Sequence, residues 1–280
     1  MINFLHTNIP ERILISIGPL HIYWYGFLIV IGMILAILIA IKLGSYYGIH
    51  KDLIIDSSFW LIVGGVAGAR IYHVFLEFPY YLANPLNIFK LWNGGLAIHG
   101  AIIAAIIILY LIAKKHKIEF FKLISLITPG FALAMAIGRW GNYFNQENFG
   151  LPTSLPWGIP IEVANRVPGY LNFEYFHPTF LYESIGNFII FLILIFIHFL
   201  LIKKKIKSFE IVLFGHLILY SILRFSNEFV RIDITPKFLG MRFPQIMSLI
   251  IIVISITFIA FRIYNHKHLK NIKKHDSIGS

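Results

Sequence analysis

LITPGFALAMAIGRWGNYFNQENFG, residues 126–150, runs from an apolar helix-forming stretch straight into Arg139, Asn142, Asn145, Gln146 and Glu147. An arginine near the centre of a bilayer costs about 2.5–3.5 kcal/mol on insertion scales, so such a residue faces a cavity or a partner and marks a functional site. Here a cation, three amides and a carboxylate follow one another within nine residues. The pattern predicts a polar chamber that opens at one face of a membrane.

The rest of the chain agrees with that solvent. It is 58% hydrophobic and 13% charged, with a mean hydropathy of +0.77, which describes one integral-membrane domain over residues 1–280 rather than two soluble ones. The formal charge of +11 is gathered in short lysine clusters between apolar stretches, where membrane topology explains it and a nucleic-acid partner is not expected. There is no cysteine, which excludes disulfides, thiolate metal sites and a cysteine nucleophile borne by the protein itself. Any thiol must come from a substrate. The N-terminal MINFLHTNIPERILISIGP lacks a basic leader and a small-residue cleavage site, so no removable signal peptide is expected.

Apolar windows of roughly 20 residues, the length a bilayer requires, fall near 21–43, 53–78, 95–113, 123–143, 178–202, 211–231 and 243–263. The expected fold is therefore all-α and polytopic, with seven transmembrane helices. Of the 24 Lys and Arg, 15 follow the first, third, fifth and seventh spans, whereas only six lie on the other side. By the positive-inside rule this predicts the N-terminus out and the C-terminus in, with the long 144–177 connection outside. The tail NHKHLKNIKKHD reads as an inward, solvated basic segment beside anionic lipid. No internal repeat is visible, which counts against many transporter folds.

That topology brings Tyr25, Arg70, His99, Arg139, Tyr182, Glu183, Arg224 and Glu228 to the outer half of the membrane and leaves the inner halves aliphatic or aromatic. Arg224 lies about 10 Å below the outer end of its helix at ~1.5 Å per residue. On LRFSNEFVR, Arg224, Glu228 and Arg231 share one helical face. An internal ion pair is the plain reading of that spacing. With Arg70 and Arg139 at the same depth, arginines outnumber Glu183 and Glu228, and an excess of forked cations suits a phosphate. A phospholipid headgroup is the phosphate a membrane supplies.

His99 stands in WNGGLAIHG, where Gly94 and Gly95 suggest a turn at the span entrance. It is either a packed interfacial histidine or a base acting near neutral pH. No residue stands at metal-ligand spacing from it, so neither a metal nor another cofactor is expected. Tyr25 and Tyr182 are either interfacial aromatics or groups that orient a headgroup. Gly64, Gly65 and Gly68 read as helix packing.

GRWGNYFNQENFG, together with YWYG, WNGGLAIHG, HPTFLYE and RFSNEFVR in that order, resembles the prolipoprotein diacylglyceryl transferase family of the bacterial inner membrane over essentially the whole chain. The resemblance implies transfer of a diacylglyceryl group from phosphatidylglycerol to the lipobox cysteine thiol of a prolipoprotein, at the extracytoplasmic leaflet and without a cofactor. Carried over by position, it marks Tyr25, His99, Arg139, Asn142, Asn145, Glu147, Gly150, Arg224 and Glu228. Residue reading adds Arg70, Tyr182, Glu183 and Arg231. His99, Arg139, Arg224 and Tyr25 are the expected catalytic groups and the others, with Arg139, the expected substrate-binding groups. Ser125 and Pro244 depart from the pattern, which has an Asp and a small residue there.

Overall fold

The computed structural model describes residues 2–276, with side chains over residues 4–265. In chain order the elements are α1 (Ile2–Thr7), β1 (Ile13–Ile17), β2 (Leu20–Tyr23), α2 (Trp24–Tyr46), α3 (Lys51–Leu76), α4 (Phe78–Ala83), α5 (Ile98–Lys115) and α6 (Phe120–Asn145). They continue with β3 (Ile159–Pro160), β4 (Tyr175–Phe176), α7 (Thr179–Lys203), α8 (Glu210–Asn227), β5 (Lys237–Phe238), β6 (Met241–Arg242) and α9 (Phe243–Asp276). The chain is mostly helical, and the strands form two-stranded antiparallel pairs outside the long helices. Two compact units result: residues 1–36 with 128–280, and residues 37–127.

Six helices are long and apolar enough to cross a membrane: α2, α3, α5, α6, α7 and the Phe243–Asn265 part of α9. The expected window 211–231 coincides largely with α8, which is not among them because Glu210, His216, Arg224 and Asn227 interrupt its apolar run. Its polar groups are turned inward: Glu210, His216, Ser221 and Asn227 are all buried. The expected first span also starts late. Residues 20–23 pair with β1 across Gly18, whose φ of 58° makes the tight turn, so the helix begins only at Trp24. At the other end α9 continues as helix to Asp276, where a solvated tail was expected.

In the larger unit, α2 and α6 approach backbone to backbone. A Cβ on Gly32 would lie 3.1 Å from the Cα of Ala134, and one on Gly130 would lie 2.7 Å from the Cα of Ala36. Small residues four apart on both helices permit this approach, the usual device where lipid supplies no hydrophobic drive between helices. Above the ends of α6 and α7, Leu5, Tyr143, Phe149, Ile159, Ile161, Phe176, Phe180 and Ile232 form a buried core that fixes the 146–178 connection. The half of this unit expected to be apolar is not wholly so. His198 on α7 and His216 on α8 are buried towards the lysine-bearing ends of their helices, with Ser255 on α9 also buried. Single polar residues spaced among aliphatic ones escape a hydropathy reading.

The smaller unit is built on α3 and α5. Gly68 abuts Gly100 and Ala104, and Gly64 faces Ile108, so these two glycines serve helix contact, whereas a Cβ on Gly65 would meet nothing within 4 Å. Leu109, Ala113 and Leu123 form its buried centre.

Candidate active site

Helix α6 ends where its polar residues begin to bond one another. The Glu147 amide donates to the Asn142 carbonyl at 3.0 Å, and its carboxylate accepts from Asn142 Nδ2 at 2.8 Å and Asn145 Nδ2 at 3.4 Å. The turn requires left-handed backbone at Gln146 (φ 51°) and Asn148 (φ 56°), conformations uncommon outside glycine. Gln146 is held there because its buried side-chain oxygen accepts from the Glu162 amide at 2.8 Å and from Asn165 Nδ2 at 3.2 Å. Gly141, one turn earlier, leaves room that the Tyr25 ring fills; a Cβ there would collide with that ring. The YWYG and GRWGN segments are thus packed against one another.

Beneath this turn lies an ion cluster centred on Glu183, which is 1% exposed. Its two oxygens bind different arginines: Arg139 Nε at 2.5 Å on one, and Arg224 Nη1 at 3.0 Å with Arg231 Nη1 at 3.2 Å on the other. Asn227 Nδ2 adds a bond at 2.7 Å. Glu228, also buried, binds Arg224 Nη2 at 2.9 Å and Arg242 Nε at 2.8 Å. Arg231 further pairs with Asp233 and donates to Asn148 Oδ1 at 2.7 Å. Arg139, Arg224, Arg231 and Arg242 therefore meet three carboxylates, Glu183, Glu228 and Asp233, an excess of one positive charge. The excess expected from Arg70, Arg139 and Arg224 is corrected in its members: Arg242 and Asp233 belong to the cluster, and Arg70 is in the other unit.

Exposure separates the roles within the cluster. Arg231 is 7% exposed and Glu228 1%, so both serve the cluster chiefly as internal counter-ions, although both also line a second cavity of about 500 Å³ together with Asp233 and Arg242. The side chains of Arg139 and Arg224 retain 22% and 21% exposure. One carboxylate thus holds two guanidinium groups, each on a partly exposed side chain. Such a pair offers forked donors to a phosphate without needing to reorganise.

A cavity of about 980 Å³ adjoins the turn. Tyr25, Asn145, Glu147 and Asn148 line it with Arg12, Asn165 and Asp233, and Ile22, Phe27, Val30 and Phe149 give it an apolar wall. Its volume is at the upper end for small-molecule sites. Of the expected residues, Tyr25, Asn145 and Glu147 reach it, whereas Asn142 is buried and serves Glu147 and Arg139. Gly150 contributes through backbone: its amide donates to the His177 carbonyl at 2.9 Å, and a Cβ would sit 2.5 Å from the Val230 carbonyl. It lets the turn lie flat on the segment that carries Arg231.

Tyr182 and Glu183 are adjacent on α7 but serve different surroundings. The Tyr182 hydroxyl accepts from Trp157 Nε1 at 2.9 Å and meets His177 Nδ1 at 3.0 Å, which ties it to the 146–178 connection and not to the arginines. In the smaller unit His99 is exposed at the first turn of α5, its ring 5.9 Å from that of Tyr72. Arg70, expected among the substrate-binding groups, is buried, and its guanidinium is occupied by backbone carbonyls. Ser125 is satisfied locally by the Lys122 carbonyl at 2.8 Å, and Pro244 sits in the first turn of α9, where a missing amide hydrogen costs nothing.

Arg12, Asn148, Asn165, Asp233 and Arg242 are the site residues that sequence reading missed. Each lies outside the α-helices, Arg242 in the short strand β6 and the rest in connections, where no helical period reveals what it faces. Only the length and the Pro, Gly and Asn content of the 143–177 connection signalled that it had work to do, and Arg12, Asp233 and Arg242 lie outside it.

Comparison with known proteins gives this geometry a context. The family model for prolipoprotein diacylglyceryl transferase matches residues 12–261. A phosphatidylglycerol–prolipoprotein diacylglyceryl transferase of Synechocystis sp. is 41% identical over 248 residues, covering 88% of this chain and 87% of that protein. One from Finegoldia magna is 39% identical over 267 residues, covering 95% and 99%, and one from Staphylococcus aureus is 37% identical over 257 residues, covering 91% and 90%. With similarity extending over the helices, the polar turn and the ion cluster alike, the chain belongs to the prolipoprotein diacylglyceryl transferase family.

Proposed function

We propose that this enzyme transfers the sn-1,2-diacylglyceryl group of phosphatidylglycerol to the lipobox cysteine thiol of a prolipoprotein, the first step of lipoprotein maturation. A thioether forms, and glycerol phosphate leaves as a carbon–oxygen bond breaks. Seven spans, an outer N-terminus and an inner C-terminus would set the site at the extracytoplasmic leaflet of the bacterial inner membrane. The observation that carries the reading is the Glu183-held pair of Arg139 and Arg224. Charge grows on the departing phosphate, and donors already fixed in place lower that barrier without rearrangement. Tyr25, Asn145 and Glu147, which line the cavity, are assigned to the headgroup glycerol, the part that distinguishes phosphatidylglycerol from other phospholipids.

The thiol needs help. With a pKa near 8.5 it is only a few per cent ionised at pH 7. His99 is the proposed base, supported by its residue type, its exposure and the family resemblance. Incubating purified protein with phosphatidylglycerol and a lipobox peptide should yield a thioether-linked mass gain by mass spectrometry. Absence of that product in every lipid composition tried would overturn the assignment.

A further inference from the structure

We infer that Arg70 is a positioning residue for His99, acting through the 84–97 segment, and not a ligand for lipid. Its guanidinium donates to five backbone carbonyls. Nε binds Ile88 at 2.8 Å, Nη1 binds Gly94 at 2.6 Å and Gly95 at 2.9 Å, and Nη2 binds Asn87 and, at 3.4 Å, Lys90. The Tyr81 ring lies 5.1 Å from its centre and covers it. No carboxylate contacts it among the described residues. An arginine that bonds only carbonyls organises chain, because its planar fork imposes direction on each of them.

The segment so gathered is irregular. Two short 3₁₀ turns, Pro85–Phe89 and Leu91–Asn93, leave carbonyls that no α-helix satisfies, while Leu86, Phe89 and Trp92 point outward and are each at least 75% exposed. Beside lipid such carbonyls are costly unless protein meets them. Arg70 meets them from behind. Gly94 and Gly95 then turn the chain with φ of 80° and 76°, and a Cβ on Gly95 would lie 2.5 Å from Arg70 Nη1 and 2.7 Å from the His73 ring. Two residues further on, the Ala97 amide donates to the Ala69 carbonyl at 3.1 Å, and Ala97 precedes the first residue of α5. Residues 69 and 70 of α3 therefore fix where α5 starts. His99 is in that first turn, against Tyr72 of the same helix α3.

The inference rests on His99 being the base, so one arm of its test does not depend on catalysis. Because the chain has no cysteine, Asn93→Cys gives a single attachment point for a spin label. In proteoliposomes Arg70→Gln should mobilise that label, and so should Gly95→Ala, which displaces the guanidinium while keeping its charge. In unlabelled protein both substitutions should lower kcat by about 10–100-fold, as expected when a reacting group is misplaced, and leave KM for phosphatidylglycerol within about two-fold. Arg70→Lys should recover only part of the rate, since one ammonium cannot span the carbonyls. The loss should also shrink as pH rises towards the thiol's own pKa, a dependence that general loss of folding does not produce. A raised KM with kcat retained would make Arg70 a lipid ligand after all, and a label left immobile would remove its role as anchor of the segment. Mobilisation with kcat unchanged would keep the anchor and remove its link to His99. Should Arg70→Gln fail to insert, Gly95→Ala decides alone.

Discussion

Glu183 holds three arginines with two oxygens, and the cost of losing each partner differs. Arg139→Ala and Arg224→Ala each remove a partly exposed guanidinium and leave the buried carboxylate with other cations. Transfer should fall by ~10²–10³ in rate, the usual loss for one fixed donor at a developing charge, with little change in melting midpoint of the solubilised protein. Lysine at either place should rescue poorly because it lacks the fork. Wild-type rates at matched membrane abundance would remove the phosphate-clamp argument. Glu183→Gln should behave otherwise. It strips the buried charge shared by Arg139, Arg224 and the buried Arg231, and breaking a buried pair costs about 3–5 kcal/mol, so both the melting midpoint and transfer should drop. An unchanged midpoint would show that Glu228 and Asp233 suffice. Glu183 was legible in the sequence as a charge at the right depth. Its sharing of oxygens was not, because it brings together Arg139 of α6, Arg224 of α8 and Arg231 beyond α8, which only the fold places around one carboxylate.

Elements differ in how clearly sequence marks them. The helices announce themselves by apolar length, yet the last three residues of β2 were absorbed into the first expected span because Ile22 and Tyr23 run without a break into the apolar helix they precede. The connection near 143–177 is legible in the sequence as long and rich in Pro, Gly and Asn, but its internal order comes from contacts distant in sequence. His177 illustrates this: its amide donates to the Leu151 carbonyl at 3.0 Å and its carbonyl accepts from the Gly150 amide at 2.9 Å, while its ring meets the nearby Tyr182 at 3.0 Å and burial lowers its pKa below the ordinary 6.5. The neutral ring is therefore the folded form. For a histidine whose folded pKa is depressed, the unfolded chain binds the extra proton first, so stability is full above pH 6.5 and declines as pH falls below it. The solubilised enzyme should melt at a lower temperature at pH 5.5 than at pH 7.5, and His177→Gln should flatten that difference. A slope unaltered in the variant would place the titrating group elsewhere.

At the scale of the whole molecule, the number of crossings turns on α8. Hydropathy counts six spans and omits it, whereas its ion pairs explain how so polar a helix tolerates lipid: Glu228, just beyond its last residue, meets Arg224 and Arg242, and Glu210 meets Arg262 at 3.1 Å. Charges matched inside protein do not pay the insertion cost that a residue scale assigns them. We expect α8 to cross. The cysteine-free chain allows a direct test with single reporters on exposed residues: Glu174→Cys, Lys117→Cys, Lys204→Cys and Lys237→Cys. With seven spans and the N-terminus out, an impermeant thiol reagent applied to intact spheroplasts should label positions 174 and 237 and spare 117 and 204 until the membrane is opened. Position 237 is decisive, since it follows α8. Were α8 to stay on one side, position 237 would share the protection of 204, the lysine-rich end of α7 and the Arg242 segment would face the same compartment, and the positive-inside assignment of the last span would have to be reversed.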